Sequence, residues 1–190
     1  MNPPTASPHP MSPLGLTWGI KRSFIDYIGS LPDGSVSAAD GAEVLESGLF
    51  CFAPDDAADT RGADDPGYNP ASAAGSLRFR GDVRLGGHHG MLLLRLLDPW
   101  ITFTGSTGVL SISTGGGSGR DRITVAFVRA AEPRELEGSL VWEHVEVVVS
   151  PEGSELFDGQ YAAGQPLDPL IIRVPGSAAG QAGSGSTSSL

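Results

Sequence analysis

Leu77-Arg78-Phe79-Arg80-Gly81-Asp82-Val83-Arg84-Leu85-Gly86-Gly87-His88-His89-Gly90-Met91-Leu92-Leu93-Leu94-Arg95-Leu96-Leu97-Asp98-Pro99-Trp100 is the stretch that decides how this chain folds. Its first half alternates. Leu77, Phe79, Val83 and Leu85 take one phase, and Arg78, Arg80, Asp82 and Arg84 take the other. Period-two alternation marks a half-buried strand with one charged face. Gly81 falls on the apolar side, where a missing side chain signals a bulge or a close neighbour. The second half, Met91 to Leu97, is apolar in both phases apart from Arg95, which predicts a central strand ended by Asp98-Pro99. Between the halves lies a glycine-flanked break, Gly86 to Gly90, that holds two histidines and is free to bend.

Outward from this stretch, short apolar or alternating runs predict further strands at 49–53, 100–104, 109–113, 123–129, 140–149 and 170–174. Towards the N-terminus, Ile20, Phe24, Tyr27, Ile28 and Leu31 recur at helical spacing. They predict a helix over 17–30, capped by Thr17 and stopped by Leu31-Pro32-Asp33-Gly34, with Lys21, Arg22 and Asp26 on its polar side. Ser150-Pro151-Glu152 supplies a cap, a first-turn proline and a first-turn acid for a short helix ending near Phe157. The fold expected is mainly β: an antiparallel β-sandwich or curled sheet with an N-terminal helix and a short C-terminal helix. One domain spans 14–175. Residues 1–13 read as a disordered leader, 54–74 as a long mobile loop, 114–119 as a hairpin or flexible tip, and 176–190 as a Gly/Ser-rich disordered tail.

Composition narrows the function. The chain has 12 Lys+Arg against 22 Asp+Glu, a formal charge of -10, which argues against nucleic acid and anionic membrane surfaces as general partners. No apolar run reaches the length of a transmembrane helix. The N-terminus lacks the basic start and apolar stretch of a secretory signal, so the chain as written reads as cytoplasmic. The single cysteine, Cys51 in Leu49-Phe50-Cys51-Phe52, excludes an intrachain disulfide and reads as a small buried hydrophobe.

Enzyme signatures are poor, and the expectation is a non-enzyme. No Gly-x-Ser-x-Gly elbow is present, and Gly115-Gly116-Gly117-Ser118-Gly119 lacks the Lys-Ser/Thr of a phosphate loop. His88, His89 and His144 have no spacing typical of zinc ligands. Adjacent histidines on a strand point to opposite faces, so one of His88 and His89 can serve a given site. The glycine pair before them can shift the phase by one, and parity leaves both open. Tyr27 is ambiguous in the same way, since a tyrosine on an apolar helical face is usually a core residue with its hydroxyl at the edge.

Three motifs, in order, resemble the HtaA domain family of haem-binding modules from actinobacteria and relatives. They are Leu16-Thr17-Trp18-Gly19-Ile20-Lys21-Arg22-Ser23-Phe24-Ile25-Asp26-Tyr27-Ile28, then Phe79 to Leu92 with its Gly-His-x-Gly strand and the following Asp98-Pro99-Trp100, then Ser150-Pro151-Glu152-Gly153 through Leu167-Asp168-Pro169-Leu170. The resemblance implies ferric haem b as the ligand, Tyr27 as the axial metal ligand and His88 as the histidine that hydrogen-bonds it. A phenolate is a hard, anionic donor suited to ferric iron. Free tyrosine titrates near pH ~10, and both iron and a histidine donor favour its ionised form. Phe24 and Met91 are then candidate pocket walls, the Met91 thioether a second-ligand alternative, and Lys21, Arg22 and Ser23 candidates for the propionates. Another haem-binding protein or a transporter component is the implied partner, and the family is secreted or held at the cell surface. The alternative is an interaction or adhesion module that kept the fold without binding haem.

Overall fold

The computed structural model describes residues 11–55, 67–115 and 121–176. The expected leader, loop, hairpin tip and tail lie largely on residues 1–10, 56–66, 116–120 and 177–190, outside the described residues. In chain order the elements are β1 (Gly15–Trp18), α1 (Arg22–Ser30), β2 (Ser35–Ala39), β3 (Ala42–Val44), β4 (Phe50–Pro54), β5 (Ala74–Arg80), β6 (Asp82–Gly87) and β7 (Leu92–Leu97). There follow β8 (Trp100–Thr104), β9 (Thr107–Ser113), β10 (Arg122–Ala130), β11 (Arg134–Leu136), β12 (Ser139–Val149), α2 (Pro151–Leu156) and β13 (Pro166–Pro175).

Of the two arrangements expected, the curled sheet is the one formed, and it closes. The strands run β1-β13-β12-β10-β9-β8-β5-β4, and β1 pairs β4 as well as β13, Leu16 lying opposite both Phe52 and Ile172. Closure removes the open edges that a sandwich would have to protect. Phe50, Phe52, Phe79, Ile101, Leu110 and Leu170 are fully buried in the core. Each such side chain contributes about 1.5–3 kcal/mol relative to exposure. A second sheet, β2-β6-β7, lies beside the barrel and buries Val83, Leu85, Leu94 and Leu96 in the same core.

The stretch from Leu77 to Leu97 differs from expectation in two ways. Its alternating half is not one strand but two, because the chain changes sheets at Gly81. There φ is +146°, and an added Cβ would lie 2.6 Å from the Ala42 Cβ. The return crossing at Asp98-Pro99 is tied to the same corner. The Gly81 N–H donates to Asp98 Oδ1 at 2.9 Å, and the Asp98 N–H donates to the Gly81 carbonyl at 2.8 Å. The apolar half is also not a central strand. β7 is the edge of the small sheet, so only Leu94 and Leu96 are buried, while Leu93 is 70 % and Met91 90 % exposed.

The first helix starts later than expected. Leu16 to Trp18 belong to β1, and Thr17 is a buried strand residue rather than a cap. Ile20, at φ 62°, breaks the chain between strand and helix. The Asp168 carboxylate of β13 takes the cap's place, accepting the Arg22 N–H at 2.6 Å. α2 starts as its sequence indicates, with Ser150 Oγ accepting the Gly153 N–H at 2.8 Å.

Candidate functional site

Helix α1 buries Phe24 and Ile28, and this orientation sets Tyr27 at the helix edge, 37 % exposed. Phe24 packs edge-to-face against Phe157 and Tyr161, fixing the helix on the core. The Tyr27 hydroxyl is hydrogen-bonded to His88 Nε2, with ring centroids 5.9 Å apart. The fold therefore brings together two residues 61 positions apart, and of the two adjacent histidines it is His88 that reaches the tyrosine. A phenol and an imidazole in this contact can share a proton: neutral imidazole accepts from the hydroxyl, and an imidazole N–H donates to a phenolate.

His88 is carried by the tip of the β6–β7 hairpin, where His88-His89-Gly90 form a single tight turn closed by the Met91 N–H donating to the His88 carbonyl at 3.1 Å. All three have left-handed backbones, with φ 52°, 57° and 85°. Gly87 lets the tip approach the residue that ends α1, since a Cβ there would lie 2.5 Å from the Leu31 side chain. Asp33, in the turn after α1, accepts the His88 N–H at 3.2 Å and the His89 N–H at 2.5 Å. These bonds, that from the His89 N–H first, hold the Asp33 carboxyl below its usual range. The His89 imidazole points into solvent, 95 % exposed, with Nδ1 3.9 Å from Asp33 Oδ2.

Past the tip the surface is apolar and then cationic. Met91 and Leu93 stand in solvent. In register beside Leu93 come Gly86, which has no side chain, and Ser35, which has a small one, so the sheet face stays low there. The next row on that face is Ser37, Arg84 and Arg95. Both guanidiniums grip the buried Asp82 carboxylate, Nη2 to Oδ2 at 2.7 Å in each case. The Arg95 bonds first, then those of Arg84, hold the Asp82 carboxyl well below the usual carboxylate range. The arginine side chains remain about half exposed.

The other sequence candidates are engaged elsewhere. Lys21 donates to the Pro166 carbonyl at 3.1 Å and lies 3.9 Å from Asp168. Arg22 pairs with Asp26 at 3.2 Å. The fold does gather Tyr27 and His88, with Met91 immediately after the histidine tip. Sequence reasoning missed Asp33, Leu93 and the Arg84–Arg95 pair. Asp33 was visible only as a turn residue, and the arginine pair only as charges on polar strand positions. Among the described residues, no group of three or more His, Cys, Asp or Glu side chains could hold a bare metal ion. No described helix is long and apolar enough to cross a membrane.

Comparison with known proteins comes to the same fold. The sequence profile of the family described as Htaa matches residues 14–173. Among solved structures, the C-terminal domain of HtaA from Corynebacterium glutamicum superposes with a TM-score of 0.65 at 22 % identity, covering 85 % of this chain and 97 % of that one. The N-terminal domain of the same protein gives 0.64 at 23 %, covering 84 % and 95 %. The heme binding protein HtaB from that organism gives 0.62 at 16 %, covering 83 % and 90 %. No curated protein matches the chain.

Proposed function

The chain belongs to the HtaA family, and from that membership we propose that it captures ferric haem and passes it on, with the Tyr27 oxygen as the iron ligand and His88 as that oxygen's partner. Domains of this family are haem-binding and haem-transport modules rather than catalysts. The support within this chain is the Tyr27–His88 hydrogen bond, made at an exposed position beside exposed Met91 and Leu93. A tyrosine whose hydroxyl touches an imidazole, next to solvent-facing apolar side chains, suits a flat apolar ligand with an oxophilic metal at its centre.

The division of labour follows from the contacts. Tyr27 loses its proton on ligation, and His88 Nε2 can take that proton or donate a hydrogen bond to the phenolate. Anionic oxygen favours ferric over ferrous iron, which fits capture and release more than oxygen binding. Met91 and Leu93 give the macrocycle an apolar contact. Arg84 and Arg95, one strand row beyond Leu93 and about 7 Å along the strand, offer guanidiniums to the propionates. An exposed ligand edge leaves room for hand-over to a second haem-binding protein or a transporter component.

The test is a haem titration of the purified protein followed by absorbance, beside Tyr27→Phe and His88→Ala. Saturable one-to-one uptake with a ferric tyrosinate spectrum, lost in Tyr27→Phe and weakened in His88→Ala, is the expected result. No uptake by the wild type would leave an interaction module of the same fold. Uptake that survives Tyr27→Phe would keep haem and reassign its ligand.

A further inference from the structure

His88 and His89 hold left-handed backbones side by side, at φ 52° and 57°. For a residue with a Cβ this region costs about 1–2 kcal/mol, so two in succession need support from outside the turn. The support comes from one carboxylate. Successive amides that curl to the same side form a concavity suited to an anion. Asp33 fills it, with Oδ1 3.2 Å from the His88 nitrogen and Oδ2 2.5 Å from the His89 nitrogen.

Asp33 is itself anchored to the helix that bears Tyr27. The Gly34 N–H donates to the Leu31 carbonyl at 3.1 Å. A Cβ on Gly34 would lie 1.9 Å from the Ile28 carbonyl oxygen, so the turn is folded tightly against the end of α1. One short segment therefore fixes both halves of the Tyr27–His88 contact, the tyrosine through the helix and the histidine through a carboxylate clamp.

We propose that Asp33 is a positioning residue for the haem ligand: its carboxylate clamps the left-handed His88–His89 tip so that His88 Nε2 meets the Tyr27 hydroxyl. The functional consequence rests on the haem proposal above, while the clamp itself acts in the haem-free protein. A turn residue of purely structural use would lower stability when replaced but leave the His88 ring where it is. A clamp would release the ring. The conservative change Asp33→Asn keeps one acceptor oxygen and turns an NH2 donor towards a backbone N–H, so it preserves one bond of the two.

The experiment uses the full chain in two arms. Without haem, nitrogen-detected NMR reads the His88 ring in wild type, Asp33→Ala, Asp33→Asn, and Asp33→Ala combined with His89→Gly. The expected result is a His88 Nε2 signal displaced towards that of a free imidazole in Asp33→Ala and less so in Asp33→Asn. His89→Gly, which takes a left-handed backbone without strain, moves it part of the way back. With haem, the rate of loss to excess apomyoglobin rises at least fivefold in Asp33→Ala, yet changes less than twofold when Asp33→Ala is added to His88→Ala. An unmoved His88 signal, or full additivity in the double variant, overturns the proposal. If the wild type takes up no haem, the haem proposal fails and the NMR arm alone decides the clamp.

Discussion

Replacing His88 with alanine gives the sharpest reading of the site. The change removes one hydrogen bond to the Tyr27 oxygen and leaves the ligand atom in place. A hydrogen bond to a charged oxygen contributes about 1.5–3 kcal/mol. Both side chains are partly in water, which can take over some of the donation, so the lower end applies: about 1.5 kcal/mol, or roughly tenfold in affinity. Most of that falls on dissociation. The assay is transfer of haem from the loaded protein to excess apomyoglobin, with the off-rate expected to rise about tenfold. His88→Gln, which keeps a donor, should rise less. Because the histidine is exposed and its tip carries little of the core, the melting temperature should fall by no more than about 3 °C. An off-rate within twofold of wild type, at unchanged melting temperature, would refute the assignment of His88 to the ligand oxygen.

Leu93→Ser should leave stability within about 0.5 kcal/mol, since the side chain is exposed, but weaken haem binding by about tenfold if the macrocycle covers it. Urea melts and the haem titration separate the two. Gly81→Ala should destabilise by about 2–4 kcal/mol, because the new methyl meets the Ala42 backbone at a left-handed φ; thermal melting measures it. Asp82→Asn should cost about 2 kcal/mol at pH 7, a buried-pair value discounted for two half-exposed guanidiniums. The folded carboxyl lies below its unfolded value, so the pair's contribution is complete above pH ~4 and is lost as pH falls below that. The gap in urea midpoint between wild type and Asp82→Asn should therefore be widest at neutral pH and narrow in acid.

Where one element satisfies its own local rules, the sequence sufficed. β8, β10, β12 and α2 stand within a residue or so of their expected bounds, because alternation and a Ser-Pro-Glu cap are local signals. β1 takes the positions expected to open the helix, because Thr17 is a capping residue type and Ile20 shares the helical period with Phe24. What separates them is the left-handed Ile20 and the pairing of Leu16 with Phe52 and Ile172, neither of which leaves a local mark. β2, small and polar as Ser35-Val36-Ser37-Ala38-Ala39, is a strand only because β6 pairs with it. At the site, the contact between Tyr27 and His88 was reachable through the family resemblance and not through local spacing. Asp33 was not, since its part depends on a turn and a hairpin tip that meet only in the folded chain.

Several departures from ordinary rules gather on one hairpin. β6 and β7 carry two histidines at positive φ, an exposed methionine and leucine, and a buried carboxylate gripped by two arginines. Any one of these could be a local accommodation. Together they describe a tip bent towards α1, an apolar strip beyond it, and oriented cations one row further on. Stability alone does not ask for that combination: an edge strand is better protected by charge than by Leu93, and a hairpin turns more cheaply on Asn-Gly than on His-His. Local costs that persist in one connected patch are expected where a ligand, rather than the core, makes use of them. On that ground the hairpin, with Tyr27 facing it, is the part of the barrel to mutate first, and the barrel's other face is where substitutions should leave haem binding unchanged.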